Sequence, residues 1–177
     1  MMQKKVQIIS DGSLDLSQEL TKEKDIEVVP FYVSFDSETY QKEMVEVGVR
    51  EFYQEMVDHP TVFPKTSMPS VHDYYEVFEK HAKEKMPVIC ICITRKFSGS
   101  LQSATTAKDM ILEEYPDAQI TVIDSTVNTV LQGLYVLEAC RLRDMGLEYQ
   151  QIVDALLPIR ETGRIFFTIG SIDYLKH

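Results

Sequence analysis

Val88-Ile89-Cys90-Ile91-Cys92-Ile93, continued by Thr94-Arg95-Lys96 and then by Phe97-Ser98-Gly99-Ser100-Leu101-Gln102-Ser103, decides the fold. An uninterrupted apolar run reads as a strand buried on both faces, as in a parallel sheet, because a strand with one wet face would alternate. The residues from Leu101 to Tyr115 read as a helix, so the whole is a strand-turn-helix unit. Ligands of open α/β sheets bind outside the carboxyl ends of the strands, where the next helix presents unpaired N–H groups suited to an anion. A second hydroxyl-bearing stretch, Lys65-Thr66-Ser67-Met68-Pro69-Ser70, reads as another turn of the same site. A phosphate or a carboxylate is the expected ligand class.

Outward from that unit the chain alternates strand and helix. Val6 to Ser10 reads as a strand, Leu16 to Lys24 as a helix, and Ile26 to Val33 as a second strand with an extended piece through Tyr40, a βαβ-like opening. A helix from Val49 to Asp58 precedes a loop from Pro60 to Pro69, stiffened by its prolines. Ser70 reads as the N-cap of a helix from Val71 to Lys85, with Asp73 favourable in the first turn. Tyr74, Val77, Phe78 and His81 share one face there, and His81 reads as a packing residue. Ile120 to Ile123 is the next strand. Val127, Val130, Leu131, Leu134 and Leu137 form the expected core stripe of a helix from Val127 to Met145, which Gly146 stops. A helix from Tyr149 to about Glu161 and a strand from Ile165 to Ile169 complete the pattern. The expectation is a three-layer α/β/α fold with a mainly parallel sheet, forming one domain over residues 1–170. Ser171-Ile172-Asp173-Tyr174-Leu175 reads as the first turn of a further helix, so residues 171–177 look like the cut start of a next segment.

Composition narrows the function. With 177 residues, 44% of them hydrophobic, the chain can bury a substantial core. A net charge of -10 and a pI near 4.8 disfavour nucleic acid and anionic membrane as partners, since both are bound largely through Lys and Arg. No apolar run approaches membrane-spanning length, and Met1-Met2-Gln3-Lys4-Lys5 leads only into a short strand, so a cytoplasmic location is expected. Cys90 and Cys92 lie on one strand face and Cys140 in a helix, which reads as buried free thiols. His59, His72, His81 and His177 lack metal-ligand spacing, so neither a metal nor a cofactor is expected.

Five motifs together resemble a known family. Asp11-Gly12-Ser13-Leu14-Asp15-Leu16, Val28-Val29-Pro30, Thr66-Ser67-Met68-Pro69-Ser70, Phe97-Ser98-Gly99-Ser100-Leu101-Gln102-Ser103-Ala104 and Ile123-Asp124-Ser125 stand in the order and spacing of the DegV family. Met68 takes a place where that family commonly has Gln, and Ser100 one where it has Thr. The resemblance implies binding of a long-chain fatty acid such as palmitate. It implies that Thr66 and Ser98 grip the carboxylate, while Ser67, Gly99 and Ser100 shape the turns and offer backbone N–H groups. It implies a carrier without catalysis of its own, whose cargo a separate fatty acid kinase phosphorylates. It also implies a second domain forming the other wall of the acyl tunnel, and hence self-association of the shorter chain through the wall left bare.

Two other classes compete on the residues. A serine hydrolase using Ser98 lacks the glycine two residues before the nucleophile, where Lys96 stands. A Rossmann-like nucleotide or phosphometabolite binder lacks the repeated glycines in Ser10-Asp11-Gly12-Ser13 that let a pyrophosphate approach. Asp11 and Asp124, both at strand ends, read as turn caps, Asp124 for the N–H groups of Ser125 and Thr126.

Overall fold

Alternating side chains on the central strands generate the layers. In the computed structural model, which describes residues 6–166 and 168, the chain runs β1 (Gln7–Asp11), α1 (Gln18–Glu23), β2 (Ile26–Val29), β3 (Tyr32–Ser34), β4 (Gln41–Lys42), α2 (Val49–Asp58), β5 (Lys65–Ser67), α3 (Val71–Lys83), β6 (Val88–Cys92), α4 (Ser100–Glu114), β7 (Ile120–Asp124), α5 (Thr129–Asp144) and α6 (Tyr149–Ile159). The main sheet has the order β2-β1-β6-β7, every pair parallel, with Ile8 opposite both Ile26 and Ile89 and Cys90 opposite Val122. The two inner strands, β1 and β6, are buried along their whole length. Ile8, Ile89 and Ile91 pack with Val136, Ala139, Ile152 and Leu156 of α5 and α6. Ile9, Val88, Cys90 and Cys92 point the other way, into Tyr74, Phe78, Ala104, Ala107 and Ile111 of α3 and α4. The result is the α/β/α arrangement that the apolar runs imply.

Four details differ from the sequence reading. The stretch Ile26 to Val33 is not one strand, because Pro30 brings no N–H to a ladder and the chain turns there. Its second half, β3, joins a separate antiparallel sheet of order β4-β3-β5, in which Val33 pairs with Thr66 and Tyr32 with Ser67. Lys65-Thr66-Ser67 is therefore a strand within the proline-rich loop, held by its partner rather than by burial. The buried face of α5 also differs. Gln132, Gly133, Tyr135, Val136, Ala139 and Cys140 point inward, whereas Val130 and Leu134 are 59% and 56% exposed. Gly133 sets this rotation: a Cβ there would lie 2.3 Å from Leu14 O, so only this face lets the helix approach the 3-10 turn Gly12–Leu14. Ile165 and Phe166 lie in irregular chain, and the rest of the expected strand to Ile169, Thr168 apart, lies outside the described residues. The capped turn at Ser171 lies outside them too.

Candidate functional site

The Ser98 arm is built by the end of β6 and the start of α4. Beyond β6 the chain is tied to the β7–α5 link by Thr94 N–H donating to Val127 O (3.0 Å). Gly99 is the N-cap of α4 and brings no side chain to the task. Ser98 supplies it instead: its Oγ accepts the Ser100 N–H at 3.1 Å, which leaves the Ser98 hydroxyl proton to be donated elsewhere. Ser100 is fully buried, donates its hydroxyl to Asp11 Oδ2 (2.7 Å) and lies 2.6 Å from the Tyr74 hydroxyl. With the Ser100 proton committed to Asp11, the Tyr74 O–H is the donor of that second bond.

Asp11 is the hub that the sequence left as a turn cap. It does accept the Ser13 N–H (3.3 Å), yet its other donors come from distant chain: Gln132 Nε2 (2.8 Å), Ile93 N–H (2.9 Å) and Ser100 Oγ. Burial pushes its carboxyl pKa up, against the lowering effect of these hydrogen bonds. No local pattern announces partners so far apart. The one available signal was a charged residue at the carboxyl end of a strand.

The Thr66 arm is β5 and the turn after it. Thr66 and Ser67 are exposed, and no described residue hydrogen-bonds the Thr66 hydroxyl. Met68 joins the arms: a Cβ on Gly99 would lie 2.6 Å from Met68 Sδ and 3.1 Å from its Cε, so the thioether fills the space a side chain would take there. Asp73 anchors this arm. Its carboxylate accepts the Ser70 N–H (2.8 Å) and hydroxyl (2.6 Å) and the Tyr32 hydroxyl (2.8 Å), and pairs with Lys42 Nζ at 3.1 Å, tying the small sheet to α3. Of the residues expected at the site, Ser98 and Gly99 are half-buried where the arms meet, Thr66 and Ser67 line the exposed strand, and Ser100 lies beneath them.

The competing readings meet physical obstacles. Glu43 reaches over the first turn, where a Cβ on Gly12 would be 1.7 Å from Glu43 Oε1, and that oxygen accepts the Phe31 N–H (3.0 Å). A pyrophosphate approaching this backbone would meet a carboxyl group rather than open N–H groups. Ser98 Oγ is engaged by backbone, and the described imidazoles are placed otherwise: His81 Nε2 meets Glu27 Oε2 at 2.6 Å, and His59 and His72 face Glu55 and Glu76 on their own helices. Asp124 caps Thr126 (2.9 Å), while the Ser125 N–H goes to Cys92 O (3.0 Å). Cys90, Cys92 and Cys140 are buried free thiols. Among the described residues, no helix is long and apolar enough to cross a membrane, and no group of three or more His, Cys, Asp or Glu could hold a metal ion.

Comparison with known proteins identifies the family. Residues 5–177 match the model of the DegV family, described as uncharacterised proteins. The chain belongs to the DegV family. A DegV domain-containing protein of Caldanaerobacter subterraneus is 34% identical over 171 residues, covering 97% of this chain and 59% of the relative. The crystal structure of a stearic acid-binding protein from Eubacterium ventriosum superposes with a TM-score of 0.92 at 47% identity, covering 97% of this chain and 58% of that one. A DegV protein of Thermus thermophilus, described as binding fatty acid, gives 0.73 at 29% identity over 88% of this chain and 53% of its own. This DegV chain thus spans less than two thirds of the relatives it matches.

Proposed function

We propose that this chain forms one wall of a long-chain fatty-acid site, with the ligand carboxylate held between the Thr66 and Ser98 hydroxyls. The observation that carries the reading is the packing of Met68 against Gly99, which sets the two hydroxyl-bearing segments side by side beyond the carboxyl end of β6. A carboxylate leaving water needs donors, and Thr66 and Ser98 each have a hydroxyl proton to give. The 47% identical Eubacterium protein, which binds stearic acid, supports the ligand class. Apolar side chains stand exposed on the turn itself, at Phe97, and at Val130 and Leu134 of the helix that follows the Thr94–Val127 tie.

The tail supplies most of the affinity. About a dozen buried methylenes at ~0.8 kcal/mol each give on the order of 10 kcal/mol, against association costs of about 4–15 kcal/mol. In this proposal residues 1–170 are the head-group domain, and residues 171–177 lead toward a segment that supplies the opposite wall, in keeping with the greater length of the relatives. By itself the 177-residue chain is expected to self-associate through the exposed Phe97, Val130 and Leu134. The protein is a cytoplasmic carrier for acyl chains such as palmitate, and a partner kinase supplies the chemistry on the presented carboxylate. Titration calorimetry with stearate tests the head-group assignment. Thr66→Val and Ser98→Ala should each weaken binding by about 1–3 kcal/mol, the cost of leaving a charged acceptor short of a donor. Unchanged affinity in both variants would show that the carboxylate sits elsewhere.

A further inference from the structure

We infer that Asp11 is a positioning residue of this site, orienting the Ser98 hydroxyl toward the ligand carboxylate through Ser100; the inference rests on the fatty-acid reading above. Asp11 Oδ2 binds the Ile93 N–H at 2.9 Å and the Ser100 hydroxyl at 2.7 Å, the two ends of the turn that carries Ser98. One oxygen therefore fixes the span of the turn. The direction of the hydrogen bonds is fixed as well. Tyr74 donates to Ser100 Oγ (2.6 Å), Ser100 donates to Asp11, and the Ser100 N–H donates to Ser98 Oγ (3.1 Å). The two hydroxyl protons run inward to Asp11, while the Ser100 N–H runs outward and occupies a lone pair of Ser98 Oγ; no described residue takes the Ser98 proton, which is left for the ligand.

Asp11 is itself held rigidly. Gln132 Nε2 binds its Oδ1 at 2.8 Å and also Ser10 Oγ at 3.0 Å, and Ser10 donates to Ile91 O (2.9 Å), so the hub is braced on β1, β6 and α5 at once. Capping the first turn needs only the Ser13 N–H, and a neutral Asn would serve that role. A carboxylate that is 0% exposed and has no cation among its hydrogen-bond partners is a costly way to close a strand. What an Asn could not do is accept from all four donors: its amide NH2 would face Ser100 and Ile93, or Gln132 and Ser13, donor against donor. One end of the turn, Ser100 or Ile93, would then lose its hold on the shared oxygen, the backbone of the turn would shift, and the Ser100 N–H that orients Ser98 would move with it.

Two effects oppose each other in Asp11→Asn, which makes the sign informative. Removing a negative charge near a bound carboxylate favours binding, whereas losing the orientation of Ser98 weakens it. The positioning role requires the second to win. The test is a double-variant cycle with stearate as the probe, read by calorimetry on the wild type, Asp11→Asn, Ser98→Ala and the combination. Asp11→Asn should weaken stearate binding about ten-fold, and should change affinity by less than about two-fold once Ser98 is Ala. Ser100→Ala should give the same pattern, with Ser100→Thr restoring wild-type affinity, so the proposal stays testable if Asp11→Asn does not fold. Tighter or unchanged binding by Asp11→Asn, or an equal loss in the Ser98→Ala background, would overturn the positioning role while leaving the fatty-acid reading intact. A Ser98→Ala variant that binds stearate as tightly as wild type would likewise overturn only the positioning role, whereas a wild-type protein that does not bind stearate would overturn the reading beneath it, and the positioning role with it.

Discussion

Replacing Asp73 by Asn should cost stability in a pH-dependent way, because this carboxylate is the joint between α3 and the small sheet that carries Thr66. Burial alone would push its pKa up. Hydrogen bonds from Ser70 and Tyr32 and the nearby Lys42 ammonium overcome that and hold it at about 2, against an ordinary value of 3.8. A carboxyl held down in the folded state stabilises the protein above its unfolded pKa, and that contribution is lost as pH falls through the folded value. The window here runs from about pH 4 down to about 2. The depression corresponds to about 2.5 kcal/mol at 1.36 kcal/mol per tenfold change in proton affinity, reduced to about 2 because Lys42 is partly solvated and its share is screened. Urea unfolding of wild type and Asp73→Asn, followed by circular dichroism from pH 6 to pH 3, isolates this group, since all other titrations are common to both proteins. The stability gap should narrow by about 1 kcal/mol over that range, roughly half the full contribution. Parallel curves would show that Asp73 is not clamped as described.

Two further substitutions probe the framework around the site. Tyr74→Phe should lower stability by about 1–2 kcal/mol, measured as a shift in urea midpoint, because it leaves the buried Ser100 hydroxyl without its donor. Gly12→Ala should cost about 1–3 kcal/mol, since its Cβ would fall 1.7 Å from Glu43 Oε1, and Glu43→Ala in that background should recover most of the loss in a thermal melt.

The sequence was most legible where one element is specified by its own residues. The Val88 to Ile93 run became β6, the Leu101 to Tyr115 helix became α4, and Val49 to Asp58 became α2, because buried parallel strands and periodic helices carry their signal locally. Pairings between distant segments were not legible. Lys65-Thr66-Ser67 is polar and looks like a turn, and it becomes a strand only because Tyr32 and Val33 lie opposite. The rotation of α5 was misread from its leucines. The decisive contact was a backbone approach at Gly133, which outweighs a modest difference in side-chain hydrophobicity. At the site, the hydroxyl residues were visible as types in a pattern, whereas the contact of Met68 with Gly99 and the convergence on Asp11 depend on five separate segments meeting in space. Pro30 is the exception, a local signal that could have divided Ile26 to Val33 in advance.

Mass spectrometry of an organic extract of the purified protein tests the central claim most directly. A saturated or monounsaturated long-chain fatty acid, released on denaturation and absent from extracts of a Thr66→Val, Ser98→Ala double variant, is the expected result. An extract that yields only a nucleotide or a sugar phosphate would contradict it.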